Sequence, residues 1–240
     1  MTVVKGKNLT KYYRNFKALD SVSFEIGEGE CFGFLGPNGA GKTTLMGIIY
    51  GFIEFFNGDL ILFGESVNRK NFPRIKFKIG VVPQDNNLDP DLNVLENLIV
   101  YGRYFDIDPK EAKERALKLI EFVKLDNWLN RNVRHLSGGM QRKLTFARGL
   151  INDPELLILD EPTTGLDPRS RRQIWERIEN LKHSGKTLIL TTHYMEEAEK
   201  LCDRIAIMDR GKILVIDTPH NLSNNFGGNL EKVYLSLTEG

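Results

Sequence analysis

Residues Gly36, Pro37, Asn38, Gly39, Ala40, Gly41, Lys42 and Thr43 spell G-x-x-x-x-G-K-[ST], and Thr44 follows them. Glycines at this spacing let successive backbone N–H groups curl around an anion, a helix start adds partial positive charge, and a lysine there can reach β and γ phosphates. The hydroxyl of Thr43 suits Mg²⁺, a hard cation that takes oxygen ligands. Further on, Asp160 closes the apolar run 156–159 and Glu161 stands beside it. A carboxylate at the end of a buried strand can hold a metal, and its neighbour can take the proton of an attacking water. On local sequence alone, Glu161 could instead pair with a nearby cation. His193 follows another apolar run and can donate to a phosphate, although a lone histidine is more often structural. Ser137, Gly138 and Gly139 precede a helical pattern carrying Met140, Leu144, Ala147 and Ile151 on one side, which makes Ser137 a natural N-cap. Simple capping is the plainer reading of that serine; the other is a second helix start open to an anion.

These residues need elements to hold them. Residues 24–26 and 31–35 read as strands around the turn Gly27, Glu28, Gly29, and the second runs into the glycine segment. A helix is expected from Lys42 to its stop at Gly51, with strands over 59–63 and 79–82. Asp108, Pro109 and Glu111 suggest the N-cap, N1 and N3 of a capping box, ahead of Ala112, Ala116, Leu119, Ile120 and Val123 on one helical face. Residues 86–151 are therefore expected to be mostly helical. Alternation of strand and helix resumes after Pro154: a buried strand at 156–159, a helix opened by Asp167 and Pro168 and closed before Gly185, and a strand from Thr187. Strands at 205–208 and 213–216 flank Asp209, Arg210, Gly211 and Lys212, a hairpin signal. Val233, Leu235 and Leu237 alternate as in a strand. The pattern describes an α/β nucleotide-binding core interrupted by a helical insertion.

The chain has 240 residues, with 33 Lys and Arg against 32 Asp and Glu, a formal charge of +1. That balance leaves no basic footprint for nucleic acid, and Arg169, Arg171 and Arg172 read as a solvated helix face. With 41% hydrophobic residues, a chain this long can bury roughly 70 to 75% of its unfolded surface. Cys31 and Cys202 are too few for a disulfide framework and fall in apolar stretches, as buried thiols of a reducing compartment do. The greasiest stretch, 46–56, is broken by Gly47, Gly51 and Glu54, and the first nine residues have no signal-peptide core. Neither a membrane span nor secretion is expected.

With the segment 136–141 between the glycine loop and the carboxylate pair, the sequence resembles the ATP-binding cassette family over nearly its whole length. The resemblance implies a P-loop NTPase (RecA-like) α/β core with an antiparallel β subdomain and an inserted α-helical subdomain. It further implies one ATPase domain: core at 1–85 and 152–216, helical signature subdomain at 86–151, and a short tail at 217–240 without a long regulatory extension. By the same resemblance residues 36–44 bind nucleotide, and Ser137, Gly138 and Gly139 are the signature motif. Gln84 is the Q-loop glutamine, Asp167 belongs to the D-loop, and His193 is the switch histidine. Tyr13 looks like the aromatic that stacks on adenine, with Tyr12 beside it as the alternative. Glu161, His193 and Gln84 would act in catalysis; Thr43, Gln84 and Asp160 would ligate Mg²⁺. ATP and Mg²⁺ are the implied cofactors, and two ATP molecules would sit in a head-to-tail dimer, with itself or with a different cassette subunit.

No sustained heptad separates the glycine loop from the signature, which excludes chromosome-maintenance cassettes, and one glycine loop argues against twin-cassette ribosomal factors. The stretch 193–204 resembles exporter subunits that move drugs, sodium or polysaccharide. The expectation is an ATPase on the cytoplasmic face of the cell membrane, docked to a separate membrane-spanning permease. The alternative is a soluble single-cassette ATPase serving a cytosolic scaffold, as in iron-sulfur assembly.

Overall fold

The computed structural model describes residues 1–238. The chain opens with β1 (Thr2–Tyr13), β2 (Phe16–Gly27), β3 (Cys31–Leu35), α1 (Lys42–Ile49), β4 (Asn57–Leu62), β5 (Glu65–Ser66) and α2 (Phe72–Lys76). There follow β6 (Ile79–Val82), α3 (Val94–Gly102), α4 (Pro109–Phe122), α5 (Gly138–Arg148), β7 (Leu156–Asp160) and α6 (Pro168–His183). The last part carries β8 (Thr187–Thr192), α7 (Met195–Leu201), β9 (Arg204–Asp209), β10 (Lys212–Asp217), α8 (Pro219–Phe226) and α9 (Leu230–Thr238). Two compact units result: residues 1–76 together with the chain from Lys182 onward, and residues 77–181.

In the first unit β3 is buried along its whole length because both its edges are taken by parallel strands, β8 and β9. A strand enclosed in this way reads as a continuous apolar run, as Cys31, Phe32, Phe34 and Leu35 do. Strand β10 returns antiparallel on β9, with Lys212 opposite Asp209. The two residues between them have φ of 45° (Arg210) and 77° (Gly211), the positive values a two-residue hairpin of matching twist requires. A second, antiparallel sheet runs β2-β1-β4-β5. Aromatic rings join the two layers: Phe24 of β2 meets Phe34 of β3 edge-on at 5.2 Å, and Phe34 lies 5.1 Å from Phe32.

In the second unit β6 and β7 pair in parallel, with Ile79 opposite Leu156 and Val82 opposite Leu159. Helices α3, α4 and α5 fill the chain between the two strands, along with short 3₁₀ turns at Arg103–Phe105, Asp126–Trp128 and Val133–His135. Ala112, Ala116 and Ile120 form the buried stripe of α4, one face at helical spacing.

Two local expectations are corrected. Asp108 caps α4, but through the amide of Lys110 (2.9 Å), and Glu111 pairs forward with Arg115 one turn on, so no reciprocal box forms there. A full capping box instead opens α3, where Asn93 accepts from Glu96 N and Glu96 accepts from Asn93 N, each at 2.9 Å. The segment carrying Val233, Leu235 and Leu237 is the helix α9, not a strand. Its buried residues are Leu230 and Val233, three apart, while Leu235 is 43% exposed, so the side that counts follows the helical period.

Candidate functional site

Loop 36–41 leaves the end of β3 and is held on both sides by main chain of the first unit. Gly36 N donates to Thr192 O (3.3 Å) at the end of β8, and Gly211 N donates to Ala40 O (3.0 Å). A Cβ on Gly36 would lie 2.3 Å from Met208 O, so a side chain there would collide with the backbone of β9. Gly41 takes φ 102° and begins α1 without any side-chain cap. By contrast α3, α4, α5 and α8 are all capped by Asn93, Asp108, Ser137 and Thr218. The first turn of α1 also carries no acidic residue. A helix start with a glycine lead, no competing cap and no acid is one whose amides are offered to an external anion. Lys42, only 4% exposed, folds back so that Nζ donates to Gly36 O (2.7 Å) and Pro37 O (3.1 Å), while Thr43 is exposed at the helix start.

His193 is half-buried directly after β8, its ring 4.2 Å from that of Tyr194, whose amide donates to Thr192 Oγ1 (3.0 Å). Gly36 N bonding to Thr192 O puts this histidine beside the start of the glycine loop. At the far end of β1 the two tyrosines differ. Tyr12 meets Phe56 edge-on at 5.5 Å and carries Lys17 Nζ 5.5 Å from its centroid; Tyr13 is 45% exposed with Lys11 Nζ at 5.2 Å. Tyr12 is thus engaged in packing, and Tyr13 presents more of its ring to solvent.

In the second unit Asp160 and Glu161 are 4% and 6% exposed at the end of β7. Parallel pairing of β6 with β7 sets Gln84, two residues beyond Val82, at the same strand-end edge as these carboxylates. The ends of parallel strands are where ligands bind in α/β sheets. Glu161 has φ 46°, a left-handed conformation uncommon for a side-chain-bearing residue, and its Oε2 accepts from Thr164 Oγ1 (3.1 Å). Gln84 is exposed. Ser137 Oγ accepts from Met140 N (3.3 Å), so the expected cap forms, yet Ser137 and Gly138 stay exposed. Gly139 faces Ser170, whose Oγ would be 2.8 Å from an added Cβ. Asp167 Oδ1 accepts from Arg169 N (3.0 Å) and Ser170 N (3.1 Å), capping α6; the Ser170 side-chain hydrogen bond, then its backbone one, holds this carboxyl below the usual range. Among the described residues no three His, Cys, Asp or Glu gather as a metal cage.

Sequence reasoning passed over Arg142, a buried arginine between the Gln84 segment and the Glu161 segment, and Thr164. Arg142 lies off the apolar stripe of α5, where a cation reads as solvated, and nothing local signals otherwise.

Residues 19–164 match the family described as ABC transporter. The chain belongs to that family. Relatives include Nod factor export ATP-binding protein I of Cupriavidus metallidurans (strain CH34), 46% identical over 97% of this chain and 77% of that protein. The protein of the same name from Ralstonia nicotianae is also 46% identical, over 97% of the cassette and 72% of the relative. Among solved structures, a dimeric ATP-binding cassette in a post-hydrolysis state with ADP and phosphate shares 30% identity, with TM-score 0.82 over 90% of this chain and 98% of that one. An ATP-binding subunit of an ABC transporter aligns at TM-score 0.87 with 27% identity, over 98% and 99% of the two chains. The fold is that of the P-loop NTPase cassettes, and this cassette is an ATP-binding, ATP-hydrolysing subunit of transport. Among the described residues no helix is long and apolar enough to cross a membrane.

Proposed function

We propose that this cassette powers export through a separate membrane-spanning permease, working as a head-to-tail dimer, with itself or a second cassette subunit, on the cytoplasmic face of the cell membrane. The observation that carries it is the uncapped, glycine-led start of α1 with Lys42 turned into the loop, in a chain 46% identical to proteins named for export. Those names also favour transport over service to a soluble iron-sulfur scaffold. The permease would dock near Gln84 and the helices that follow, and the domain would divide as core 1–85 and 152–216, helical subdomain 86–151 and tail 217–240.

In this reading Tyr13 stacks on the adenine, and the amides of Gly39, Ala40, Gly41, Lys42, Thr43 and Thr44 cradle the phosphates behind Gly36, Pro37 and Asn38. The Lys42 ammonium exchanges its two carbonyl acceptors for phosphate oxygens. Glu161, oriented by the Thr164 hydroxyl, takes the proton of the water that attacks the γ phosphorus, and ADP leaves as phosphate forms. His193 donates to the γ phosphate, and Gln84 orients the water. Ser137, Gly138 and Gly139 of one chain close on the γ phosphate held by the other, with Asp167 at the same contact. Thr43, Gln84 and Asp160 would hold Mg²⁺ through oxygen atoms, the donor type this hard cation takes. Mg²⁺, when bound, neutralises phosphate charge and aligns the leaving group.

Glu161→Gln tests the reading. ATP binding is expected to survive, turnover to stop and an ATP-bound dimer to accumulate, seen by size-exclusion chromatography with and without ATP. Hydrolysis near the parent rate would remove Glu161 from the base role.

A further inference from the structure

Arg142 lies in the second turn of α5 and is 4% exposed. Its Nε donates to Pro162 O (2.7 Å); Nη1 donates to Pro83 O and to Gln84 O (3.1 Å); Nη2 donates to Asp160 O (3.2 Å) and Glu161 O (3.1 Å). A guanidinium offers five N–H donors in a rigid planar fork, and here five main-chain carbonyls meet them. The acceptors come from two segments, those that follow β6 and β7 and carry Gln84 and Glu161. Three of the five are consecutive, at 160, 161 and 162, and bracket the residue with φ 46°. A left-handed conformation at a glutamate persists only when its surroundings impose it. The fork also belongs to the helix that Ser137 caps, so signature, glutamine segment and base segment share one rigid group.

We propose that Arg142 is a positioning residue for hydrolysis: through main-chain carbonyls it fixes the backbone of Glu161 relative to that of Gln84 and passes to both any displacement of the signature helix start. The five acceptors are main-chain oxygens, so the fork holds backbone and acts on the Gln84 and Glu161 side chains only through it. The inference rests on Glu161 being the base. Lysine keeps the charge with three donors and no fork, glutamine keeps two donors, and methionine keeps only the volume.

The test is steady-state ATPase of the purified chain for Arg142→Lys, Arg142→Gln and Arg142→Met, beside Glu161→Gln and a control, Asn97→Ala. Asn97 is a buried amide of the same unit that bonds Asp89 and Asn93 and belongs to no part of the site. The expected result is a graded fall in kcat along Lys, Gln, Met, reaching about tenfold to a hundredfold, with KM for ATP within about twofold of the parent. ATP-induced dimerisation should persist, and Asn97→Ala should lower thermal stability without this kcat loss. Two results overturn the proposal: kcat of Arg142→Gln within about twofold of the parent, or losses that track thermal stability along the same line as Asn97→Ala. Lysine, the mildest change, supplies the reading if the other variants fail to fold: parental kcat for Arg142→Lys also overturns it. An active Glu161→Gln defeats the base assignment itself, whereas an inactive Glu161→Gln beside a fully active Arg142→Gln defeats only the brace.

Discussion

Replacing Gly41 by alanine loads one backbone position with two separate penalties. The residue has φ 102°, well outside the left-handed well open to other residues, and holding an L side chain there costs about 1 to 3 kcal/mol. Its Cβ would also sit 2.7 Å from Ala18 O and 2.9 Å from Leu19 Cδ2, where an ordinary carbon-oxygen approach is about 3.3 Å. Ala18 belongs to β2 and is buried, so relief requires moving strand backbone, at an overpacking cost of about 1 to 3 kcal/mol. Together these amount to about 2 to 6 kcal/mol, and at about 2 to 4 °C per kcal/mol for a chain of this size the melting temperature falls by ~4 to 24 °C. If the loop instead moves off β2, stability is recovered but the amides no longer converge; losing even one charge-assisted hydrogen bond, worth about 1.5 to 3 kcal/mol, weakens ATP at least about tenfold. Differential scanning fluorimetry and titration calorimetry with MgATP read the two alternatives together. Gly39→Ala is the comparison, because φ is 86° there but an added Cβ meets nothing within 4 Å, so only the conformational cost applies. A Gly41→Ala protein with a melting temperature within about 2 °C of the parent and ATP affinity within about twofold would refute the reasoning.

Three further outcomes follow from the same geometry. Lys42→Ala removes the ammonium proposed to face the phosphates, and calorimetry should find ATP affinity reduced by about tenfold to a hundredfold, the worth of charge-assisted hydrogen bonds; unchanged affinity would contradict the cradle. Ser137→Arg should leave ATP binding by the monomer intact while abolishing the nucleotide-induced dimer in chromatography. Asp167 is held below 3.8 in the folded chain, chiefly by Ser170, so its cap contributes fully above that value and is lost as pH falls through the lowered one. Urea midpoints of Asp167→Ala should therefore lie below the parent at pH 7 and converge with it at strongly acid pH, and a gap that stays constant to low pH would contradict the cap.

Much of this arrangement is legible in the amino-acid order because local and tertiary demands agree. Burial along β3 and β7 demands apolar side chains there, and the change of residue type at Gly36 and Asp160 marks where each strand ends. The hairpin at Arg210 and Gly211 is announced by turn chemistry that only positive φ satisfies. Residues 230–238 defeated the period-two reading because Val233, Leu235 and Leu237 fit a strand, while the residues that bury, Leu230 and Val233, are three apart. Arg142 was illegible for a different reason. Its partners are carbonyls, which every residue possesses, so no side-chain type at 83, 84 or 160–162 could advertise the fork that binds them.

The hairpin between β9 and β10 also ties the glycine loop to the antiparallel sheet. Gly211 donates to Ala40 O and accepts from Asp20 N, and its Cα side lies against Ala18. A tight surface turn is ordinarily the place of choice for an epitope or a fused domain. In this cassette a peptide grafted between Arg210 and Gly211 would loosen a clasp on the proposed nucleotide cradle, so labels belong elsewhere on the chain.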